Sequence, residues 1–227
     1  MTVPAPHARA ELGPQAATFL ATEHWSLLGS RSMAWNEAFS RVSVFLNALS
    51  ASAVALALAA DASGFGRSFR LFALVLLPIV LFLGVSAYLR VCQINIDDIY
   101  LVAAMNRLRH AYIDEVPELK QYFTAGWNDD ELGVWQSFML DQPRPQRPML
   151  HSFITTPTVI ATINAAVATA GGALLLSIYE VSGAWFVALC TLVFLLTWGG
   201  LLSVQYRQLI LVRDHAKKIA RFPSEVS

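Results

Sequence analysis

The chain has 227 residues, of which 56% are hydrophobic and only 14% are charged, whereas a soluble domain usually carries about 25% charged residues. Sixteen basic and sixteen acidic side chains cancel, so the chain lacks the net positive field that nucleic-acid-binding proteins use. The composition therefore argues against a water-soluble domain and against a nucleic-acid partner, and it predicts an integral membrane protein.

Four apolar runs without any Asp, Glu, Lys or Arg lie at about residues 42–60, 71–89, 157–178 and 184–204. Each run is close to the roughly 20 residues that cross about 30 Å of hydrocarbon at 1.5 Å per residue. Because backbone polar groups must be satisfied internally in lipid, each run is predicted to be a helix. The sequence predicts an all-α integral membrane protein with four transmembrane helices in two hairpins and with cytoplasmic helical extensions.

The polar segments divide the chain around these spans. Residues 1–41 are predicted to form cytoplasmic or interfacial helices, 42–90 the first hairpin, 91–153 a cytoplasmic helical segment, 154–204 the second hairpin and 205–227 a basic tail helix. We expect span 2 to continue as an amphipathic helix up to Pro117, and Asn128 to cap a helix in "NDDELGVWQSFML". The stretch "DQPRPQRP" then predicts an extended linker back to the membrane.

The distribution of Lys and Arg predicts the orientation of the chain. The two hairpin loops hold only Arg67 and Arg70, and the other fourteen basic residues lie before span 1, between spans 2 and 3, or after span 4. Because basic residues are retained on the cytoplasmic side, we expect a multi-pass protein of the inner (plasma) membrane. Both of its termini are then cytoplasmic.

A line of hydroxyl and amide side chains enters the apolar runs and is the candidate functional feature. In the first helix, steps of four and three residues place on one face Asn36, Ser40, Ser43, Asn47 and Ser50. Span 3 carries Thr155, Thr158, Thr162, Asn164 and Thr169 among small residues that include Gly171. This polar intramembrane stripe fits a close-packed seam between helices or a water-filled path in an oligomer. A bond between Asn47 and Asn164 is a further alternative.

No set of side chains with the chemistry of an enzyme is recognisable in the sequence. Asp97 and Asp98 are adjacent and are interpreted as part of a solvated helix face, and the spacing of the His and Cys residues predicts no metal or cofactor site. We therefore expect a non-enzymatic, self-associating membrane scaffold that contacts lipids and a cytoplasmic protein partner. The alternative is an oligomeric ion channel gated from the cytoplasmic side.

The stretches "TEHWSLLGSRSMAWNEAFSRVSVFLNALS" and "MNRLRHAYIDEVPELKQYF" resemble segments of a group of uncharacterised actinobacterial integral membrane proteins with four spans. The resemblance covers most of residues 20–200 and implies the same membrane class, with no activity attached. The arrangement of two hairpins around a cytosolic helical segment is also analogous to that of bestrophin-type anion channels, in topology alone.

Overall fold

A computed structural model describes residues 13–139 and 155–224, and helices are the only regular secondary structure in these two ranges. The elements are α1 (Pro14–Ser63), α2 (Arg67–Glu115), a 3₁₀ helix (Pro117–Tyr122), α3 (Glu131–Met139), α4 (Thr156–Ile178) and α5 (Gly183–Ile219). Of these, α1, α2, α4 and α5 are long and apolar enough to cross a membrane. The predicted all-helical, four-span fold is confirmed, whereas the proline-rich linker lies outside the described residues.

Three of the helices extend well beyond the length of a span. Since about 20 residues cross the hydrocarbon, the 50 residues of α1 and the 49 of α2 each leave about 30 residues outside it. As predicted, α2 continues to Glu115 and stops just before Pro117, because the helical conformation is disfavoured for the residue that precedes a proline, and Val116 has φ −134° and ψ 88°. The tail helix predicted over 205–227 corresponds to the end of α5, which stops at Ile219, and residues 220–224 are not helical.

The chain divides into two compact units, and α1, α2 and α5 each contribute to both. Among the described residues, the transmembrane unit comprises 33–97 and 155–213, and the extramembrane unit comprises 13–32, 98–139 and 214–224. Each unit has a buried apolar cluster of its own.

The core of the transmembrane unit combines aromatic and small side chains from α1, α2 and α4. Phe45 and Tyr88 are fully buried, together with Ala161 and Ala165 of α4. The hydroxyl of Tyr88 also donates a hydrogen bond to the backbone oxygen of Leu201 in α5, at 2.5 Å. The small residues of α4 therefore allow close helix contact, as predicted for span 3.

Large apolar side chains cover the outside of the transmembrane unit. In α2 and α5 the exposed residues include Val75, Ile79, Phe82, Trp185, Val187 and Leu196. Such a surface is unfavourable in water and favourable in hydrocarbon. The distribution agrees with the four-span assignment, because the bulky helices present their side chains to lipid.

The extramembrane unit is held by partly buried ion pairs as well as by its apolar cluster. Asp98 is only 5% exposed and accepts two hydrogen bonds from Arg31, from Nε at 2.5 Å and from Nη2 at 3.0 Å. The interpretation of the Asp97–Asp98 pair as a solvated face is therefore correct for Asp97, which is exposed, and wrong for Asp98. The bidentate bond to Arg31 compensates for the burial of the Asp98 charge.

The cap of α3 also differs from the one predicted. The backbone N–H of Gly133 donates to Asp130 Oδ1 at 2.9 Å, so Asp130 caps the helix in place of Asn128. The backbone oxygen of Asn128 instead accepts a hydrogen bond from Asn106 at 2.8 Å.

Candidate functional site

The polar side chains of α1 lie on the face of the helix that points away from the core of the transmembrane unit. Asn36, Ser40, Ser43, Asn47 and Ser50 are all exposed. The buried side chains of this part of α1 are Ala38, Phe45 and Ser52. At about 100° per residue the two sets lie about 180° apart around the helix axis. Among the helices that the structure describes, the α1 part of the stripe is therefore not a seam within one chain.

Asn47 is the side chain in this set that is most costly to expose to lipid. It lies five residues, or about 8 Å along the helix, beyond the start of the predicted span at residue 42. Its amide makes no hydrogen bond to a residue that the structure describes, whereas the hydroxyl of Ser43 donates to the backbone oxygen of Phe39 at 3.0 Å. An amide without partners in an apolar medium costs several kcal/mol (about 4–8 on the cyclohexane scale). The unpaired amide is therefore the strongest sign that something covers this face.

The polar face does not extend across the whole span. Four and eight residues beyond Ser50, the same side of α1 presents Val54 and Leu58, which are 61% and 66% exposed. The polar part therefore covers only the half of the span nearest the charged end of α1. A helix with this pattern presents hydrogen-bonding groups at one end and an apolar surface at the other.

The polar residues of α4 occupy a different environment. Thr162 and Thr169 donate to the backbone oxygens four residues earlier, at 2.9 and 2.7 Å. Thr155 and Thr158 are hydrogen-bonded to each other through their hydroxyls at 3.0 Å, and Trp198 of α5 donates to Thr162 at 3.1 Å. These hydroxyls are satisfied within the unit, which is how Ser and Thr are usually accommodated in membrane helices.

Asn164 is fully buried where α1, α2 and α4 meet. Its Nδ2 donates to the backbone oxygen of Ile160 at 2.9 Å, and its Oδ1 lies against Gly84 of α2 without a hydrogen-bond partner among the described residues. Asn47 is exposed on the far side of α1, so the two asparagines do not bond to each other in this chain.

Gly84 is a structural determinant of this site that the sequence pattern did not identify. A Cβ added to Gly84 would approach the ring of Phe45 to 2.7 Å and would come closer still to the Oδ1 of Asn164. The hydrogen atom of a glycine is therefore required at this position. In contrast, a Cβ on Gly171, which the sequence places among the small residues of span 3, would meet nothing within 4 Å.

A second polar cluster, which we call the C-terminal clamp, lies in the extramembrane unit. Asp129 accepts hydrogen bonds from the backbone N–H groups of Arg221 (2.9 Å) and Phe222 (2.8 Å) and from Nε of Arg107 (2.5 Å). The neighbouring Asp130 accepts from the N–H of Ser224 at 3.0 Å and from its hydroxyl. The two aspartates thus fix the segment that follows α5 onto the loop before α3.

The clamp carboxylates are held in their charged form. Burial alone would raise the pKa of Asp129, but the N–H groups of Arg221 and Phe222 and the guanidinium of Arg107 outweigh it and lower the pKa. The pKa of Asp130 is lowered in the same way by Ser224 and by the N–H of Gly133, again against the effect of burial. These aspartates therefore act as anchors for the tail.

Among the described residues, no three His, Cys, Asp or Glu side chains come together as a group that could hold a metal ion. The comparisons with known proteins give no assignment, since no family model, no curated protein and no solved structure matches this chain.

Proposed function

We propose that this chain is a non-enzymatic, multi-pass protein of the plasma membrane that self-associates through the polar face of α1 and presents its extramembrane unit to a cytoplasmic protein partner. The observation that carries the proposal is the exposed amide of Asn47, which lies on the side of α1 opposite the core and makes no hydrogen bond to a described residue. A second copy of the same face supplies the missing donors and acceptors, since Asn side chains hydrogen-bond across membrane helices.

The distribution of the basic residues supports the proposed orientation of the chain and its location in the plasma membrane. Fourteen of the sixteen Lys and Arg residues lie outside the two hairpin loops, which supports cytoplasmic termini in a plasma membrane. We also propose that the chain is related to the four-span actinobacterial membrane proteins that its sequence resembles. The extramembrane unit, which has its own apolar cluster, its ion pairs and the C-terminal clamp, is suited to binding a partner as a preformed surface.

Cross-linking of cysteines placed around α1 tests the self-association. In a background without Cys92 and Cys190, a cysteine at Ser43 should form a disulfide between two copies in membranes under mild oxidation. A cysteine at Val44 should not form this disulfide, because Val44 lies about 100° around the helix from Ser43. Val44 is a matched control, since it is also exposed and lies at almost the same depth. Asn47 and Leu46 form a second pair of the same kind. Equal cross-linking of both faces, or none at Ser43 and Asn47, would refute the proposed interface.

An oligomeric ion channel is the second candidate function, and the continuous line from Asn36 to Ser50 is the observation that favours it. In that arrangement the same face lines a water-filled axis, gated from the cytoplasmic side, in place of packing against a neighbour. We rank it second because the line continues as Val54 and Leu58, so the polar lining would stop halfway through the membrane.

The substitution Asn47→Leu distinguishes the two functions. If α1 packs against a second copy, the substitution removes the bridging amide and adds bulk, so the oligomer should weaken by about 1 kcal/mol, or roughly fivefold in its dissociation constant. Proteoliposomes should show no ion flux before or after the change. The measurements are the oligomer equilibrium in detergent and the ion flux in parallel, with Leu46→Ala as the control. An ion current that Asn47→Leu abolishes while the oligomer is unchanged would establish the channel instead.

A further inference from the structure

A groove lies between α1 and α2 at the ends of both spans. Arg41 directly precedes the apolar run 42–60, and Arg90 directly follows the run 71–89. Glu37 holds the two together, since its Oε1 accepts from Nε of Arg41 at 2.5 Å and its Oε2 accepts from Nε of Arg90. The two guanidinium groups are therefore at the same level, where helices pass from hydrocarbon into the headgroup region.

The groove carries an excess of positive charge. Hydrogen bonds from Arg41 and then Arg90 lower the pKa of Glu37, so one negative charge faces two positive ones at neutral pH. Both arginines use Nε for Glu37, and their Nη1 and Nη2 atoms make no hydrogen bond to a residue that the structure describes. The side chains of Arg41 and Arg90 are 54% and 27% exposed. Unused guanidinium donors in this arrangement suit the oxygens of a phosphate group.

The rest of the groove is apolar and runs toward the membrane interior. Phe82, Val85 and Leu89 line it, and their spacing places them on one face of α2. From Arg90 back to Phe82 the helix descends eight residues, or about 12 Å, into the apolar run. A free phosphate ion would leave this wall uncovered, whereas a lipid carries an acyl chain directly below its phosphate.

We propose that this groove binds one anionic phospholipid. The phosphodiester oxygens accept hydrogen bonds from the Nη atoms of Arg41 and Arg90, and an acyl chain covers Phe82 and Val85. Basic pockets between transmembrane helices bind acidic headgroups by the same combination of charge and depth. The site is formed within a single copy of the chain, so it does not depend on self-association through α1.

Lipid binding to the purified, delipidated chain tests the proposal. The protein in detergent is titrated with phosphatidylglycerol or with phosphatidylcholine of the same chain length, and bound lipid is counted by native mass spectrometry. We expect phosphatidylglycerol to bind about fivefold more tightly, the effect of one basic charge near an anionic surface. The triple substitution E37Q/R41Q/R90Q, which makes the groove neutral, should abolish the preference. R90Q alone should also abolish the preference. Because R90Q leaves the Glu37–Arg41 pair intact, it provides the test if the triple variant does not fold.

The matched control is R67Q/R70Q, which removes two exposed basic side chains from the opposite end of the span in α2. This variant should keep the full preference for phosphatidylglycerol, and a loss as large as that of R90Q would overturn the proposal. Retention of the preference by R90Q and by the triple variant would overturn it as well. Inorganic phosphate or glycerophosphoglycerol at equal concentration should not displace the lipid, and displacement would show a site for free anions.

Discussion

Replacing Gly84 by Ala should destabilise the transmembrane unit by about 2–3 kcal/mol, and replacing it by Val should prevent the chain from folding into a monodisperse species in detergent. The added Cβ would lie 2.7 Å from Cε2 and 2.8 Å from Cζ of Phe45, and it would overlap with the amide oxygen of Asn164. Both neighbouring side chains are fully buried, so neither can move aside into open space. Thermal unfolding and size-exclusion chromatography in detergent measure the effect.

A second substitution separates this steric effect from a general intolerance of α2. Asn164→Ala makes room for a Cβ and removes an oxygen that has no hydrogen-bond partner among the described residues, so G84A/N164A should be more stable than G84A alone. Gly171→Ala is the matched control, because its Cβ would meet nothing within 4 Å, and it should be neutral or slightly stabilising. If G84A proves as harmless as G171A, the close approach of the three helices is incorrect.

Loss of the Asp129 carboxylate should release the C-terminal clamp. In Asp129→Ala, two backbone N–H groups and the guanidinium of Arg107 lose their acceptor, which we expect to cost about 3 kcal/mol. Amide hydrogen exchange over residues 218–224 should then become roughly 100-fold faster, because exchange follows the free energy of local opening. Asp97→Ala is the control, since Asp97 is exposed and should leave exchange in this segment unchanged. Similar exchange in D129A and in the unmodified chain would contradict the anchoring role.

The pH dependence of the clamp follows from the lowered pKa of Asp129. A carboxylate whose pKa is lower in the folded than in the unfolded state contributes its stability above the unfolded value, and this stability is lost as pH falls through the folded value. With an ordinary value of 3.8, protection of residues 218–224 should be constant between about pH 8 and 5 and should disappear only below 3.8, after correction for intrinsic exchange. Loss of protection near pH 6 would mean that another group controls the tail.

The sequence was sufficient to predict the four spans, because an uncharged apolar run of about 20 residues is a property of the local chain. The continuation of α2 to the residues before Pro117 was also predictable, since a proline restricts the residue that precedes it. The i,i+4 pair of Glu37 and Arg41 follows from helical spacing alone. Each of these features depends on residues that are close together in the chain.

Features that depend on which helices meet could not be derived in this way. Periodicity placed Asn47 on a line with Ser43, but only the position of Phe45 in the core shows that this line points outward. The close approach at Gly84 involves residues 39 and 80 positions away, Phe45 and Asn164, so nothing in the surrounding sequence marks that glycine as different from Gly171. Asp98 likewise looked solvated because its partner, Arg31, lies 67 residues earlier.

The exposed side of the α5 span has a consequence for sequence variation. None of the residues in its most apolar stretch is fully buried, and at exposed positions such as Val187 and Leu196 exchanges among Leu, Ile, Val and Phe change little besides contacts with lipid. The bond from the Tyr88 hydroxyl ends on the backbone oxygen of Leu201, and a backbone acceptor is present whatever side chain occupies that position. The exposed side of this span can therefore drift in sequence under a single chemical constraint, that of remaining apolar, while Trp198 and the backbone of Leu201 keep α5 attached to α4 and α2.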